Sequence, residues 1–261
     1  MTPAQKERYA RHIRLPQIGE SGQQAILDAS ALIVGLGGLG SPAAMYLAAA
    51  GIGKLILSDY DIVETSNLQR QIIHQQAAVG ENKVDSARHT LAGLNPDCEV
   101  EVIGYQLESD ELKQVIAAVD IVLDCSDNYP TRFAVNRCCV ETATPLVTGA
   151  SIRLEGQIMN YQPAANSACY QCLYTEAYGN EESCELEGVL GPVVGVIGTM
   201  QAVQTLLLLA GQGEELVNRL LLFDAQSMEW QGVTLPKNPT CPACGSFSGL
   251  PAGKSHKTPN I

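Results

Sequence analysis

Ala31-Leu-Ile-Val34-Gly35-Leu-Gly37-Gly38-Leu-Gly40 is the stretch that decides the fold of this chain. Its first four residues predict a buried strand, and Ser41–Ala50 predicts a helix directly after the glycines. Gly35, Gly37 and Gly40 match G-x-G-x-x-G in the strand–turn–helix context that a nucleotide-binding loop requires. Such a loop lets a phosphate approach the backbone and the free N–H groups of the helix start. The loop indicates a nucleotide without saying which one.

Strands and helices alternate after this loop, which predicts a doubly wound, Rossmann-like, mainly parallel α/β sheet. Two helical patterns, at 3–14 and 20–29, come first. The predicted strands are Ala31–Val34, Lys54–Asp59, Glu99–Gly104, Ile121–Asp124 and Pro145–Thr148, and the predicted helices between them are Ser41–Ala50, Lys83–Leu94, Ser109–Ala117 and Thr131–Glu141. Gln157–Gln162 and Leu220–Phe223 predict further strands that extend the same sheet, in part antiparallel.

The length of 261 residues, 46% of them hydrophobic, suits one large domain. We predict a single domain over residues 1–245, with a nucleotide-binding half at 30–150 and a second half at 151–245. The polar segment 175–187 is predicted to be mobile. Residues 246–261, rich in Ser, Gly, Pro and Lys, are predicted to be a disordered tail.

The net charge of -12 would repel a phosphate backbone, so we expect no nucleic-acid partner. Residues 1–10 lack the apolar core of a signal peptide. Residues 189–213 carry no charge and could span a membrane by length. Their prolines, glycines and glutamines favour a buried helix instead. We therefore expect a soluble, cytoplasmic protein without a membrane partner.

A cluster of polar residues follows the second and fourth predicted strands. Asp59 ends the second strand, where a carboxylate can accept hydrogen bonds from ribose hydroxyls. Because strand ends converge on one crevice, residues after both strands can face one ligand. A triphosphate needs cations and Mg²⁺, and Mg²⁺ needs a carboxylate. The residues that fit ATP and magnesium are Asn67, Arg70, Gln71, Lys83, Asp127 and Asn128. Taken singly, each could instead be a surface ion pair, a solvated helix residue or a helix cap.

The cysteines fall into three groups. Cys169-x-x-Cys172 and Cys241-x-x-Cys244 form two knuckles whose four thiolates suit a closed structural Zn²⁺ site, with a redox pair or unliganded thiols as the alternative. Cys184 lies alone in the acidic segment, where it could be a nucleophile or sulfur acceptor, although its acidic neighbours oppose thiolate formation. The remaining cysteines, at 98, 125, 138 and 139, are interpreted as small core residues.

These motifs together resemble the bacterial adenylyltransferases related to ubiquitin-activating enzymes, the ThiF, MoeB and HesA family. The resemblance runs from about Arg8 to Gly245. The matching stretches are Arg8-Tyr-Ala-Arg-His-Ile-Arg14, Gly35–Gly40, Ser66–Gln71, Leu123-Asp-Cys-Ser-Asp127-Asn128, both cysteine knuckles and Gly191-Pro-Val-Val-Gly195.

The resemblance implies Mg-ATP-dependent adenylation of the C-terminal glycine of a ubiquitin-like sulfur carrier that ends in Gly-Gly. It assigns ribose binding to Asp59, the phosphate loop to Gly38, and phosphate contacts to Asn67, Arg70 and Lys83. It assigns Mg²⁺ to Asp127. It further implies a homodimer in which Arg14 enters the partner's site, a zinc site made by the four knuckle cysteines, and a crossover-loop cysteine at Cys184.

The resemblance leaves the pathway open. Residues 188–195 resemble those of the thiamine-pathway members, which act on the carrier ThiS. Residues 149–157 resemble those of the molybdopterin-pathway members, which act on MoaD. We favour the thiamine pathway. The sequence shows no rhodanese-like domain, so we expect sulfur to come from a separate sulfurtransferase or cysteine desulfurase. Two other classes stay open: an NAD(P)-dependent oxidoreductase, and a non-catalytic module that binds a ubiquitin-like protein.

Overall fold

The computed structural model describes residues 1–163, 167–175, 187–213 and 216–245. Two short helices and a longer one open the chain: α1 (Pro3–Arg8), α2 (Ala10–Ile13) and α3 (Gly19–Asp28). The strands are β1 (Ser30–Val34), β2 (Lys54–Ser58), β3 (Glu99–Ile103), β4 (Ile121–Asp124), β5 (Leu146–Ile152), β6 (Glu155–Tyr161), β7 (Arg219–Asp224) and β8 (Glu229–Thr234). The other helices are α4 (Gly40–Ala50), α5 (Lys83–Leu94), α6 (Ser109–Ala117), α7 (Tyr129–Thr142), α8 (Tyr170–Leu173) and α9 (Gly191–Leu209).

The eight strands form one sheet in the order β3-β2-β1-β4-β5-β6-β7-β8. Strands β1 to β5 are parallel, and β6, β7 and β8 add on as antiparallel neighbours. The strand order reverses between β1 and β4, where ligands of doubly wound sheets bind. The predicted fold class, a parallel sheet extended by antiparallel strands, is confirmed.

Helices cover both faces of the sheet, because successive side chains of a buried strand point to opposite faces. Ala31 and Ile33 of β1 pack towards α4, α5 and α9, whereas Leu32 and Val34 pack towards α6 and α7. Among the described residues, only α9 is long and apolar enough to cross a membrane. Ile197 is fully buried where α9 packs against the sheet and α4, which agrees with the prediction of a buried helix.

Most predicted elements lie within one or two residues of their observed positions. Helix α7 begins at Tyr129 rather than Thr131, because Asn128 caps it by accepting a hydrogen bond from Thr131 N at 2.9 Å. Strand β8 was not predicted. Its sequence, Glu-Trp-Gln-Gly-Val-Thr, shows no apolar alternation, and all six of its residues are exposed.

Candidate active site

A cavity of about 900 Å³ opens at the carboxyl edge of the parallel strands, within the usual size of small-molecule sites. Segments far apart in sequence meet there because β1, β2 and β4 all end at this edge. Predicted site residues on its wall are Gly35, Gly37, Gly38, Asp59, Arg70, Gln71, Lys83, Asp127 and Asn128.

The glycine loop follows β1 and can be made only by glycine at its two ends. Gly35 has φ of +92°, and a Cβ there would lie 2.8 Å from the carbonyl oxygen of Cys125. A Cβ on Gly40 would lie 1.9 Å from the carbonyl oxygen of Gly35. The loop therefore folds tightly back onto the start of α4, which leaves the backbone of Gly37 and Gly38 facing the cavity.

Asp59 and His74 hold the loop residue Leu36 from opposite sides. Asp59 Oδ2 accepts a hydrogen bond from Leu36 N at 2.7 Å. His74 Nε2 lies 3.2 Å from the carbonyl oxygen of Leu36, and His74 Nδ1 lies 2.9 Å from Ser86 Oγ. Because a carbonyl can only accept, His74 carries its proton on Nε2 and Nδ1 accepts from Ser86. Burial lowers the pKa of His74 to about 4, so the ring is neutral at pH 7.

Burial also sets the electrostatics of the cavity wall beside the loop. It raises the pKa of Asp59 above its ordinary value, although the nearby charge of Lys83 opposes the shift. Lys83, at the start of α5, is only 6% exposed. Its ammonium lies 2.8 Å from the Asp61 carboxylate. A buried cation with one carboxylate partner keeps donors for a further anion.

Arg70 and Gln71 come from the turn that follows the short 3₁₀ helix Thr65–Asn67. Arg70 Nη1 donates to the carbonyl oxygen of Ser66 at 3.1 Å. Gln71 is buried, and within the described part of the chain its Oε1 has no hydrogen-bond partner. A buried acceptor on a cavity wall is costly unless a ligand supplies a donor, so Gln71 favours a bound ligand that carries hydroxyl, amine or water donors.

Asp127 lies in the turn between β4 and α7, with its carboxylate exposed to the cavity. Asn128 Nδ2 lies 3.3 Å from Asp127 Oδ1. The turn is tied to the neighbouring strand because Cys125 N donates to the carbonyl oxygen of Val34 at 2.9 Å. An exposed carboxylate on a braced turn beside a phosphate loop fits Mg²⁺, which prefers oxygen ligands.

The far half of the cavity is built by aromatic residues and the antiparallel strands. Tyr129, Tyr170 and Tyr174 form part of a ring cluster, with centroids 4.9 Å apart for the last pair. Tyr174 Oη donates to Gln157 Oε1 on β6 at 2.8 Å. Further wall residues of this half include Ile152, Glu155, Phe223, Ser227 and Gln231.

Three residues predicted for the nucleotide site or the reaction are not on this wall. Gly40 packs helix against strand, behind the loop. Asn67 caps its own 3₁₀ helix, since its Oδ1 accepts from Glu64 N at 3.2 Å. Arg14 is exposed at the end of α2 and is not on the wall of its own chain's cavity. Cys184 and the tail 246–261 lie outside the described residues.

The four knuckle cysteines converge, as the zinc prediction requires. Their sulfurs all lie within 4.8 Å of one another, with 3.7 Å between Cys169 and Cys241 and 3.4 Å between Cys172 and Cys244. Those separations are far too long for disulfides and close to the edge of a tetrahedron of zinc–sulfur bonds, about 3.8 Å. The cluster is thus compatible with zinc, which would join α8 to the segment after β8.

Three further residues at the site were not predicted. Asp61 pairs with Lys83, His74 holds the glycine loop, and Arg132 is buried beside the Asp127 turn. The sequence carried little signal for them: His74 follows Arg70 in a non-helical turn, and Arg132 is one of several residues in the first turns of α7. Their partners lie on other strands and loops, so the sequence alone does not show what they hold.

Comparison with known proteins shows the family. The sequence model of the ThiF family matches residues 9–243. A sulfur carrier protein ThiS adenylyltransferase from Escherichia coli is 43% identical over 94% of this chain and 97% of its own length. A molybdopterin-synthase adenylyltransferase from Salmonella typhimurium is 42% identical over 91% and 96%. A crystal structure of E. coli MccB shares the fold, with a TM-score of 0.81 and 24% identity over 92% of this chain and 74% of that one. The predicted resemblance and enzyme class are confirmed: the chain belongs to the ThiF family.

Proposed function

We propose that this protein uses ATP to adenylate the C-terminal glycine carboxylate of a ubiquitin-like sulfur carrier, giving an acyl-adenylate and pyrophosphate. Attack of the carboxylate on the α-phosphorus forms the mixed anhydride, and the bond to the β-phosphate oxygen breaks. The observation that carries the proposal is the meeting of Asp59, Arg70, Lys83 and Asp127 on one cavity wall. A dinucleotide oxidoreductase needs the loop and Asp59 but has no use for the other three.

Positioning and charge neutralisation account for the chemistry, because little covalent work is asked of the protein. The loop backbone and the start of α4 receive phosphate oxygens. Lys83 and Arg70 offset the negative charge of the triphosphate and of the departing pyrophosphate. Asp127 is the group placed to hold Mg²⁺, which when bound neutralises phosphate charge. Asp59 faces the ribose, and the roles of Asn67, Gln71 and Asn128 stay predictions.

The second half of the cavity supports a peptide tail as the other substrate. Strands β5 to β8 and the tyrosine cluster line an extension of the nucleotide site. A Gly-Gly end has no side chains, so its carboxylate can approach the α-phosphate closely. A ThiS-type carrier is our first choice and a MoaD-type carrier the alternative. The two relatives, at 43% and 42% identity, do not separate them.

ATP–pyrophosphate exchange tests the proposal. We expect exchange that requires Mg²⁺ and a carrier ending in Gly-Gly, and that disappears with the same carrier lacking its last glycine. Running ThiS-type and MoaD-type carriers side by side identifies the pathway. Binding of both carriers without any exchange would favour a non-catalytic module. Tighter binding of NAD(H) than of Mg-ATP would favour an oxidoreductase.

Asp127→Ala is the sharpest single variant. Because its carboxylate is the proposed magnesium ligand, we expect exchange to fall at least about 100-fold, with an unchanged melting temperature since the side chain is exposed. Asp97→Ala, which removes another exposed carboxylate from the turn before β3, is the matched control and should keep full activity. Retained exchange in Asp127→Ala would remove Asp127 from the magnesium site.

Three further parts of the proposal have their own measurements. Metal analysis should find one zinc per chain, and its absence would leave the knuckles as free thiols. Cys184→Ser should keep adenylate formation while impairing later sulfur transfer; loss of adenylation in the folded variant would contradict this.

A homodimer is supported by an exposed apolar groove between α4 and α9, lined by Tyr46, Ile72 and Val196, and sedimentation would show it.

A further inference from the structure

We propose that Arg132 is a positioning residue that fixes the Asp127 turn through a buried clamp shared with Asp124 and Thr148. The inference rests on the proposed function, since it concerns how the magnesium ligand is held. Asp127 is exposed to the cavity, whereas Arg132 borders the same cavity but is only 5% exposed, and its guanidinium binds the turn that carries Asp127.

The acidic half of the clamp holds Ser126, the residue before Asp127. Asp124, at the end of β4, is 1% exposed. Its Oδ1 accepts hydrogen bonds from Ser126 N at 3.0 Å and from Ser126 Oγ at 2.6 Å. Its backbone carbonyl accepts from Gln201 Nε2 of α9 at 2.8 Å. Asp124 is therefore held through its backbone by α9, and its carboxylate binds the N–H and hydroxyl groups of Ser126.

The basic half of the clamp holds the other side of the same residue. Arg132 is 5% exposed, and its Nη2 donates to the carbonyl oxygen of Ser126. Its Nη1 donates to Thr148 Oγ1 at 3.2 Å. The hydroxyl of Thr148 in turn donates to Asp124 Oδ2 at 3.3 Å. Ser126 is thus held at its N–H, hydroxyl and carbonyl groups.

The clamp contains a buried pair of opposite charges. Arg132 Nη1 lies 3.8 Å from Asp124 Oδ2. Burial alone would lower the pKa of Arg132, but Asp124, Tyr170, Cys125 and Asp127 together outweigh it, and the net shift is upward. A planar guanidinium can reach Ser126 and Thr148 at once, whereas a lysine ammonium on a flexible stem cannot reproduce this two-point hold.

The consequence concerns magnesium more than ATP. Mg²⁺ demands near-ideal octahedral geometry, and a shift of about 1 Å in a reacting group can cost about 100-fold in rate. Loosening the turn should therefore weaken the magnesium site, while the glycine loop, Asp59 and Lys83, which lie on other segments, keep their grip on the nucleotide.

The test measures ATP binding by calorimetry over a magnesium titration, with exchange measured in parallel. For Arg132→Lys we expect a rise of at least about 5-fold in the Mg²⁺ concentration that gives half of the magnesium-dependent change in ATP affinity. The exchange rate should fall about 10- to 100-fold. ATP affinity in EDTA should stay within about twofold of wild type. Thr148→Val, an isosteric change that removes only the bridging hydroxyl, should shift the magnesium requirement in the same direction by a smaller factor.

The controls separate the outcomes. Arg137→Lys, on the exposed side of α7, should match wild type throughout. If Arg132→Lys does not fold, Thr148→Val decides alone. Unchanged magnesium requirements in the folded variants would overturn the clamp. If wild type binds Mg-ATP but gives no exchange with either carrier, the proposed function fails. The binding titration then still tests whether Arg132 sets the magnesium requirement.

Discussion

At the scale of single residues, His74 shows how a neutral buried histidine can serve a phosphate loop. Its Nε2–H group holds the carbonyl of Leu36, whose N–H is held by Asp59. One loop residue is thereby fixed at both backbone groups, between Gly35 with its positive φ and Gly37. Protonation of His74 would reverse the bond to Ser86, whose hydroxyl can also accept, but it would place a charge in a buried site, which is why burial lowers the pKa of this ring.

His74 therefore makes the stability of the fold depend on pH. Its pKa falls from 6.5 to about 4 on folding, so between these values the unfolded chain binds a proton that the folded chain does not. The contribution of the neutral His74 to the free energy of unfolding is fully present above pH 6.5 and is lost as the pH falls to about 4. We predict that wild type loses about 3 kcal/mol more than His74→Gln over this window. Urea unfolding of both proteins at pH 7 and pH 4 measures the difference, and equal losses would contradict the assignment.

At the scale of elements, helix α9 supports the glycine loop through a residue that has no side chain. A Cβ on Gly198 would lie 2.1 Å from the carbonyl oxygen of Leu39 and 2.8 Å from Cγ of Pro42. Leu39 is the N-cap residue directly before α4. Close approach of α9 to this point brings Val194 against Gly38, so the helix forms the back wall of the phosphate loop.

We predict that Gly198→Ala pushes α9 away from the loop. Overpacking of this kind costs about 1–3 kcal/mol, and the displaced loop should raise KM for ATP. Gly93→Ala is the matched control, because Gly93 is also helical and a Cβ there meets no atom within 4 Å. Alanine at that position should be neutral or stabilise by up to about 1 kcal/mol. Equal free energies of unfolding for the two variants would show that α9 can move without cost.

The same scale shows which parts of the structure the sequence could predict. Strands β1, β2, β4 and β5 carry buried apolar runs, and β3 alternates glutamates with valines. Asp59 and Asp127 follow such strands directly and Lys83 begins a helix, so the sheet and the positions of these three residues at its edge were predictable. Strand β8 was not, because its pairing with β7 leaves its side chains exposed. The clamp at Arg132 was hidden for another reason: its partners Ser126 and Thr148 come from two separate segments, and only the sheet brings them together.

At the scale of the whole molecule, the predicted role of Arg14 in the reaction requires a site shared between subunits. The N-terminal helices are anchored to their own chain, since the buried Tyr9 hydroxyl accepts from Asn95 Nδ2 at 2.9 Å. Arg14 follows this anchor and is exposed outside its own cavity. A cation that serves the reaction from there must serve the site of a second copy.

Mixing two inactive variants tests this arrangement. Arg14→Ala and Asp127→Ala should each lack exchange activity, because each removes one charged group from every site. In a mixed dimer, one site combines the intact Asp127 of one subunit with the intact Arg14 of the other. Random re-pairing of equal amounts makes half of the dimers mixed, with one working site in each, so activity should recover to about a quarter of wild type. Each variant mixed with itself is the control. No recovery, with subunit exchange verified by a tag on one variant, would place Arg14 in its own chain's site, and full exchange by Arg14→Ala alone would place it outside the reaction.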